Sequence, residues 1–252
     1  MKDLFLVGIG TGNPEHLTLQ AVRTLNAVDV ILIPRKGASK ADLAETRRAI
    51  CAEVVTNPAT RIVEFDLPTR DEATPDYVQR VGDWHDQIAR VWADTLAQTS
   101  APKDRVALLV WGDPSLYDST LRIAARLTPR PQITVIPGIT SLQGLTAAHA
   151  IPLNDLAAPF TVTTGRQLRD AGWPQGINRI AVMLDGDCSF AQLDPANTTI
   201  WWAAYVGMLK ETCLSGPLAE TSAQIIETRT ALRAQHGWVM DIYILERAAV
   251  QA

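Results

Sequence analysis

Three short glycine-containing segments carry the groups in this chain best suited to hold a small ligand. The first, Gly8-Ile9-Gly10-Thr11-Gly12, runs on into Asn13-Pro14-Glu15-His16. The second, Gly112-Asp113-Pro114, is followed by Leu116, Tyr117, Asp118 and Ser119. The third, Pro137-Gly138-Ile139, leads into Thr140-Ser141. Glycine allows a backbone to approach a ligand closely. Thr140 and Ser141 can cap a following helix or offer hydroxyls to a ligand. Asp113 can pair with an ammonium or hydrogen-bond a ribose; it can equally cap a helix beginning near Ser115.

The first segment has the look of a pyrophosphate-binding turn, but its chemistry argues against a dinucleotide. Nothing small occupies the later position of that fingerprint. Asn13-Pro14-Glu15 interposes a turn, and an acidic side chain at a helix start opposes a bound anion. The chain also lacks a nucleophile elbow and a Walker-type phosphate loop. Its four histidines are far apart, so no metal site is expected.

Each glycine segment follows an apolar run: Leu4–Ile9, Val106–Trp111 and Ile133–Ile136. Continuous apolar runs suit strands covered on both faces. Leu17, Ala21, Val22 and Leu25 recur at helical spacing, with Thr18 placed to cap, and Val28–Ile33 reads as the next strand, closed by Pro34. A βαβ unit of this brevity argues for parallel pairing. Further on, the pattern gives a helix over Ala41–Ala52, a strand over Arg61–Leu67 and an amphipathic helix over Tyr77–Leu96. The tryptophans of that last helix, Trp84 and Trp92, read as core. Helices are expected over Leu116–Leu127 and Thr140–His149.

Asn154–Pro159 reads as a linker. The expected division is an N-terminal α/β domain over 1–155 and a C-terminal mixed α/β domain over 156–252. In the second, Phe160–Thr164, Arg179–Leu184 and Trp238–Leu245 read as strands, and Ser222–Leu232 as a helix. Thr199–Tyr205 reads as a strand, with a helix competing for its two tryptophans.

With 252 residues, 47% hydrophobic and 20% charged, the chain is an ordinary globular one. Its net charge of −4 and scattered arginines, singly or paired as at Arg47-Arg48, speak against nucleic acid. Cys51, Cys188 and Cys213 are too few and dispersed for a disulfide framework. Neither a signal peptide nor a membrane-length apolar run is visible, so a cytoplasmic protein without membrane partners is expected.

In this order, each after an apolar strand, the three segments resemble those of the tetrapyrrole methylases. The motifs are Val7-Gly8-Ile9-Gly10-Thr11-Gly12-Asn13-Pro14-Glu15 with Leu17-Thr18, then Gly112-Asp113-Pro114 with Tyr117 and Ser119, then Ile136-Pro137-Gly138-Ile139-Thr140-Ser141. The resemblance spans essentially the whole chain. It implies a two-domain α/β fold: an N-terminal open, largely parallel sheet, a C-terminal mixed sheet, and an active site in the interdomain cleft. It also implies S-adenosyl-L-methionine as methyl donor, a tetrapyrrole acceptor and a homodimer. The stretch holding Trp84-His85 and Trp92, and the segment Trp201–Gly207, are similar to one branch of the family. That branch serves aerobic cobalamin biosynthesis, methylating precorrin-5 at C-1 with loss of the acetyl group as acetate.

Carried over by motif, the resemblance assigns donor contacts to Gly112, Asp113, Leu116, Thr140 and Ser141, joined by Leu184, Tyr205 and Val206. Gly10, Thr11, Gly12, Asn13 and His16 would then face the acceptor, whose carboxylates favour nearby Arg or Lys. His16 stands where relatives often have Leu, and a capping role is its alternative. Methyl transfer needs alignment above all. Deacetylation needs an activated water and a stabilised oxyanion, for which Asp118, Tyr117 and His149 are the catalytic candidates, with Asp185 behind them. Another precorrin methyltransferase, a non-catalytic nucleotide-binding module and a hydride-transfer enzyme remain the alternatives.

Overall fold

Among the described residues strands and α-helices alternate through the first 140 positions, as a parallel sheet requires. The computed structural model describes residues 2–35, 41–69, 76–101 and 103–248. It comprises two units, Met1–Thr140 and Ser141–Ala252. The first contains β1 (Asp3–Gly8), α1 (Leu19–Leu25), β2 (Val30–Arg35), α2 (Ala41–Val54), β3 (Arg61–Asp66), α3 (Tyr77–Thr99), β4 (Arg105–Val110), α4 (Thr120–Ala124) and β5 (Gln132–Ile136). Its strand order is β3-β2-β4-β1-β5, with every pairing parallel.

This order fixes where the helices lie. Right-handed crossovers send α1 and α2 to one face and α3 and α4 to the other. The two cores agree. Ala21, Leu25, Ala44 and Ile50 pack with Val7, Ile31 and Leu109. Ile88, Trp92, Ile123 and Leu127 pack with Leu4, Leu32 and Leu108. β4, apolar and buried from Val106 to Val110, is the spine between them. It also lies between β2 and β1, whose loops lead to the face opposite its own, and such a switch point is where open α/β sheets bind ligands.

The second unit contains α5 (Ser141–His149), β6 (Thr161–Thr164), α6 (Gly165–Ala171), β7 (Arg179–Met183), β8 (Thr198–Ala204), β9 (Thr212–Pro217), α7 (Leu218–His236) and β10 (Asp241–Arg247). Its sheet, in the order β6-β7-β10-β8-β9, is mixed: β6 and β7 run parallel and the other pairs antiparallel. Trp202, Tyr205, Tyr243 and Phe190 fill its core.

The structure departs from the sequence reading at informative places. β2 runs through Pro34 instead of stopping before it. The Arg35 carbonyl accepts from Leu67 on the β3 side, so by strand alternation Pro34 faces the β4 side. Pairing with β4 has already ended at Leu32 opposite Leu108, and the missing N–H costs no ladder bond. The helix expected over Leu116–Leu127 is reduced to α4, because the chain bends at Leu116 and Tyr117, the latter at φ 50°, and turns helical only at Thr120. The competition over Thr199–Tyr205 resolves as strand β8. The sequence reading passed over α6 and β9. α5 packs on β8 and β10, so the units divide at Thr140–Ser141 rather than at residue 155.

Candidate functional site

The carboxyl ends of β1, β4 and β5 meet through their glycines. Ile9 donates to the Val110 carbonyl at 2.9 Å, and Gly10 and Gly112 exchange both backbone hydrogen bonds at 3.2 and 2.8 Å. A Cβ on Gly8 would stand 2.6 Å from the Gly138 nitrogen and 2.8 Å from the Gly112 oxygen. Three loops are thus brought to backbone contact, which only glycine permits. Gly112, at φ 62°, keeps an open side: a Cβ there would meet only the Thr140 Cα, at 3.8 Å. Gly112, Asp113 and Thr140, nominated as donor contacts, therefore do lie together. Leu116 follows in the same loop, and its N–H is bonded to the Asp113 carbonyl at 3.2 Å.

Asp113 has a structural duty that the sequence did not announce. One carboxylate oxygen accepts from the Ser115 N–H at 2.8 Å and from the Ser115 hydroxyl; the other accepts from the Gly138 N–H at 2.8 Å. It caps no helix, since α4 begins only at Thr120. Instead it ties the β4 loop to the β5 loop. Burial works to raise its pKa, but the bonds from Ser115 and Gly138 prevail and hold it below the ordinary carboxylate value. A folded pKa below the unfolded one means that the tether's stability is present above about pH 4 and is lost as pH falls through the folded value. Acid titration of Asp113→Asn should accordingly show a shallower stability loss below about pH 4 than the parent. Coincident acid limbs would contradict this.

The first loop is held by its own side chains. Thr11 is buried, and its hydroxyl meets His16 Nδ1 at 2.8 Å. The His16 Cβ also lies where a side chain on Gly10 would go. Asn13 caps the following 3-10 turn through the Glu15 N–H at 3.0 Å, and Thr18 caps α1 through the Ala21 N–H at 3.0 Å. His16 therefore braces Gly10–Gly12. A histidine five residues after a threonine gave little warning of this.

Of the three catalytic candidates, two belong to the β4 loop and one to the second unit. Tyr117 is 44% exposed in a left-handed backbone conformation. Burial of its ring raises the phenol pKa, so at neutral pH it is a proton donor and not a base. Asp118 accepts from the Thr120 N–H at 2.6 Å, and its backbone carbonyl accepts from Arg122. His149 closes α5, with Nε2 3.1 Å from the Trp202 carbonyl oxygen. That contact requires the proton on Nε2.

In the second unit, Leu184 immediately follows β7, with φ 54° and 66% exposure, an unusual place for a large apolar residue. Left-handed conformations of non-glycine residues are costly and cluster at ligand sites; Tyr117, Leu184 and Tyr205 all adopt one. Tyr205, however, is buried. Its phenol donates to the Trp238 carbonyl, its N–H donates to Met240, and its own carbonyl accepts from Met208. Val206 is buried beside it. These two shape the loop from within, and their side chains are not presented to a ligand.

Asp185 is likewise committed. Its carboxylate accepts from Tyr243 at 2.6 Å, from the Ser189 N–H and hydroxyl at 2.7 and 3.0 Å, and from Asp187 at 3.1 Å. Arg229 donates to the Asp185 carbonyl at 3.2 Å and to the buried Asp241 carboxylate at 2.9 Å, which Trp202 also meets at 3.0 Å. This network holds the turn that displays Leu184. Sequence reasoning missed it because its members are scattered from residue 185 to 243. Among the described residues no cluster of His, Cys, Asp and Glu could hold a metal, and no helix is long and apolar enough to cross a membrane.

The comparisons with known proteins agree with this architecture along the whole chain. The family model of the Tetrapyrrole (Corrin/Porphyrin) Methylases matches residues 3–222. The precorrin-6A synthase [deacetylating] of Sinorhizobium sp. is 46% identical over 99% of this chain and 97% of its own. A precorrin-2 C(20)-methyltransferase of the same source is 32% identical over 59% of each. Among solved structures, a cobalamin-synthesis-related protein from Corynebacterium diphtheriae superposes with a TM-score of 0.83, at 36% identity over 98% of this chain and 99% of that one. Three glycine loops joined at one sheet edge, a mixed second sheet and full-length similarity lead to one conclusion: this chain belongs to the tetrapyrrole methylase family.

Proposed function

We propose that the protein transfers a methyl group from S-adenosyl-L-methionine to C-1 of precorrin-5 and releases the acetyl group as acetate, forming precorrin-6A. The observation that carries this reading is the 46% identity, over nearly both full lengths, to a precorrin-6A synthase [deacetylating]. The 32% match to a precorrin-2 methyltransferase covers only 59% of the chain and favours the alternative acceptor less.

The residues fit such a donor. Its ammonium, carboxylate and ribose hydroxyls call for backbone donors and acceptors in a confined space. The strand ends at Gly112–Asp113 and Thr140, with Ser141 next in the chain, offer these without a phosphate nest. When bound, S-adenosylmethionine supplies an electrophilic methyl group. The chain's contribution is positional: Asp113 fixes the β4 loop against the β5 loop, and His16 with Thr11 fixes the β1 loop facing the acceptor. Tyr117, held protonated, is suited to donate a hydrogen bond to the acyl oxygen as water adds to the acyl carbon.

Ligand-dependent thermal stability separates this reading from a dinucleotide site. S-adenosylhomocysteine at about 100 times its dissociation constant should stabilise the protein by about 2.7 kcal/mol. NAD at the same concentration should leave the melting temperature unchanged. Stabilisation by NAD alone would overturn the proposal.

A further inference from the structure

β2 and β4 part company before their carboxyl ends, and one side chain stands in the gap. The Val110 carbonyl accepts from Ile9 on the β1 side. By strand alternation the preceding Leu109 carbonyl faces β2, where pairing has ceased and Pro34 offers no N–H. Arg47 of α2 occupies this place. Its Nε donates to the Leu109 carbonyl and its Nη1 to the Leu43 carbonyl, each at 3.1 Å, and its guanidinium lies 5.7 Å from the centre of the Trp111 ring.

The guanidinium is thus fixed in orientation, partly buried and still charged. Burial lowers its pKa to about 10, with only partial compensation from Asp118 and Cys51. Among the described residues it forms no ion pair, although Arg35, Arg48, Arg179 and Arg229 each have one. Neutral carbonyls and an aromatic face orient an arginine without neutralising it. A desolvated cation held this way, at the switch point of an open α/β sheet, is suited to a planar anion that arrives with a ligand.

We propose that Arg47 binds a carboxylate of the methyl acceptor and helps set its orientation over the β1 and β4 loops. This rests on the tetrapyrrole reading of the site. The acceptor is favoured over the donor because Arg47 lies on the β2 side of β4. The open side of Gly112 faces Thr140, on the side of β1 and β5.

The test compares the parent with Arg47→Met and Arg47→Lys, using uroporphyrin III, a stable polycarboxylate tetrapyrrole, and S-adenosylhomocysteine as separate binding probes. Arg47→Met should weaken uroporphyrin III about tenfold or more, the scale of a lost charge-assisted hydrogen bond. Arg47→Lys should fall between, because it keeps the charge without the fork. S-adenosylhomocysteine affinity should stay within about twofold of the parent in both; this arm also shows that the variants are folded. Unchanged uroporphyrin III affinity, or a loss confined to S-adenosylhomocysteine, would overturn the proposal. Failure of the parent to turn over precorrin-5 would instead count against the proposed reaction.

Discussion

Gly138→Ala should slow methyl transfer roughly a hundredfold and destabilise the first unit, although it adds only one methyl group. The new Cβ would overlap the Gly112 carbonyl oxygen and stand 2.8 Å from the Gly8 carbonyl carbon. Both obstacles are backbone on neighbouring strands, so neither can swing aside as a flexible side chain would. Overpacking of this kind typically costs about 1–3 kcal/mol, and the upper end is expected where three strand ends are displaced together. The Gly138 N–H would also leave the Asp113 carboxylate, undoing the tether between the β4 and β5 loops. A displacement of about 1 Å at a site that works by alignment costs roughly a hundredfold in rate. Gly82→Ala is the control. Gly82 lies within α3 with nothing near its added Cβ, so that variant should be more stable by roughly 0.5–1 kcal/mol and fully active. Calorimetric unfolding and a methyl-transfer assay on both variants check the pair. Wild-type activity in Gly138→Ala would show that the loops are not held as described.

Arg229→Met should be the most damaging single change in the second unit. The side chains of Arg229 and Asp241 are 11% and 6% exposed, and their pairing is reinforced by Trp202. Burial already raises the Asp241 pKa against the pull of Arg229. Without the arginine the carboxyl is pushed higher still. Breaking a buried pair from one side costs about 3–5 kcal/mol. The sign of the pH dependence follows from the raised folded pKa. The loss should be smallest below about pH 4, where the carboxyl is protonated even when unfolded, and should grow as pH rises toward neutrality. Adding Asp241→Asn should recover part of it. Denaturant unfolding across that pH range reads this directly, and a loss that shrinks toward neutral pH would contradict it. Arg229 also donates to the Asp185 carbonyl, so the turn after β7 should loosen in the same variant.

Much of this molecule was legible from its chain because two signals were strong. Continuous apolar strands followed by glycine turns marked β1, β4 and β5, and their joint occurrence placed a ligand site at one sheet edge. What could not be read were relations between distant residues. Asp113 looked like a helix cap or a ligand partner, and only its bond to Gly138 shows it to be a tether. Tyr205 looked like a site residue, whereas its phenol is bonded to the Trp238 carbonyl within the core. Arg47 was one of a pair without special pattern. Its meaning depends on β2 and β4 separating after Leu32 and Leu108, a register that no local sequence encodes. Pro34 was the one visible hint, read as the end of a strand when it marks a strand whose inner neighbour has gone.

The most direct test of the account is the mass of the product formed from precorrin-5 and S-adenosylmethionine. The acetyl group lost outweighs the methyl group gained. Methylation with deacetylation therefore gives a product lighter than the acceptor, with S-adenosylhomocysteine and acetate released in equal amounts. A product heavier by one methyl group, with no acetate, would leave a methyltransferase but contradict the deacetylating reaction. An unaltered acceptor, incubated with active donor under conditions that preserve it, would contradict the assignment as a whole.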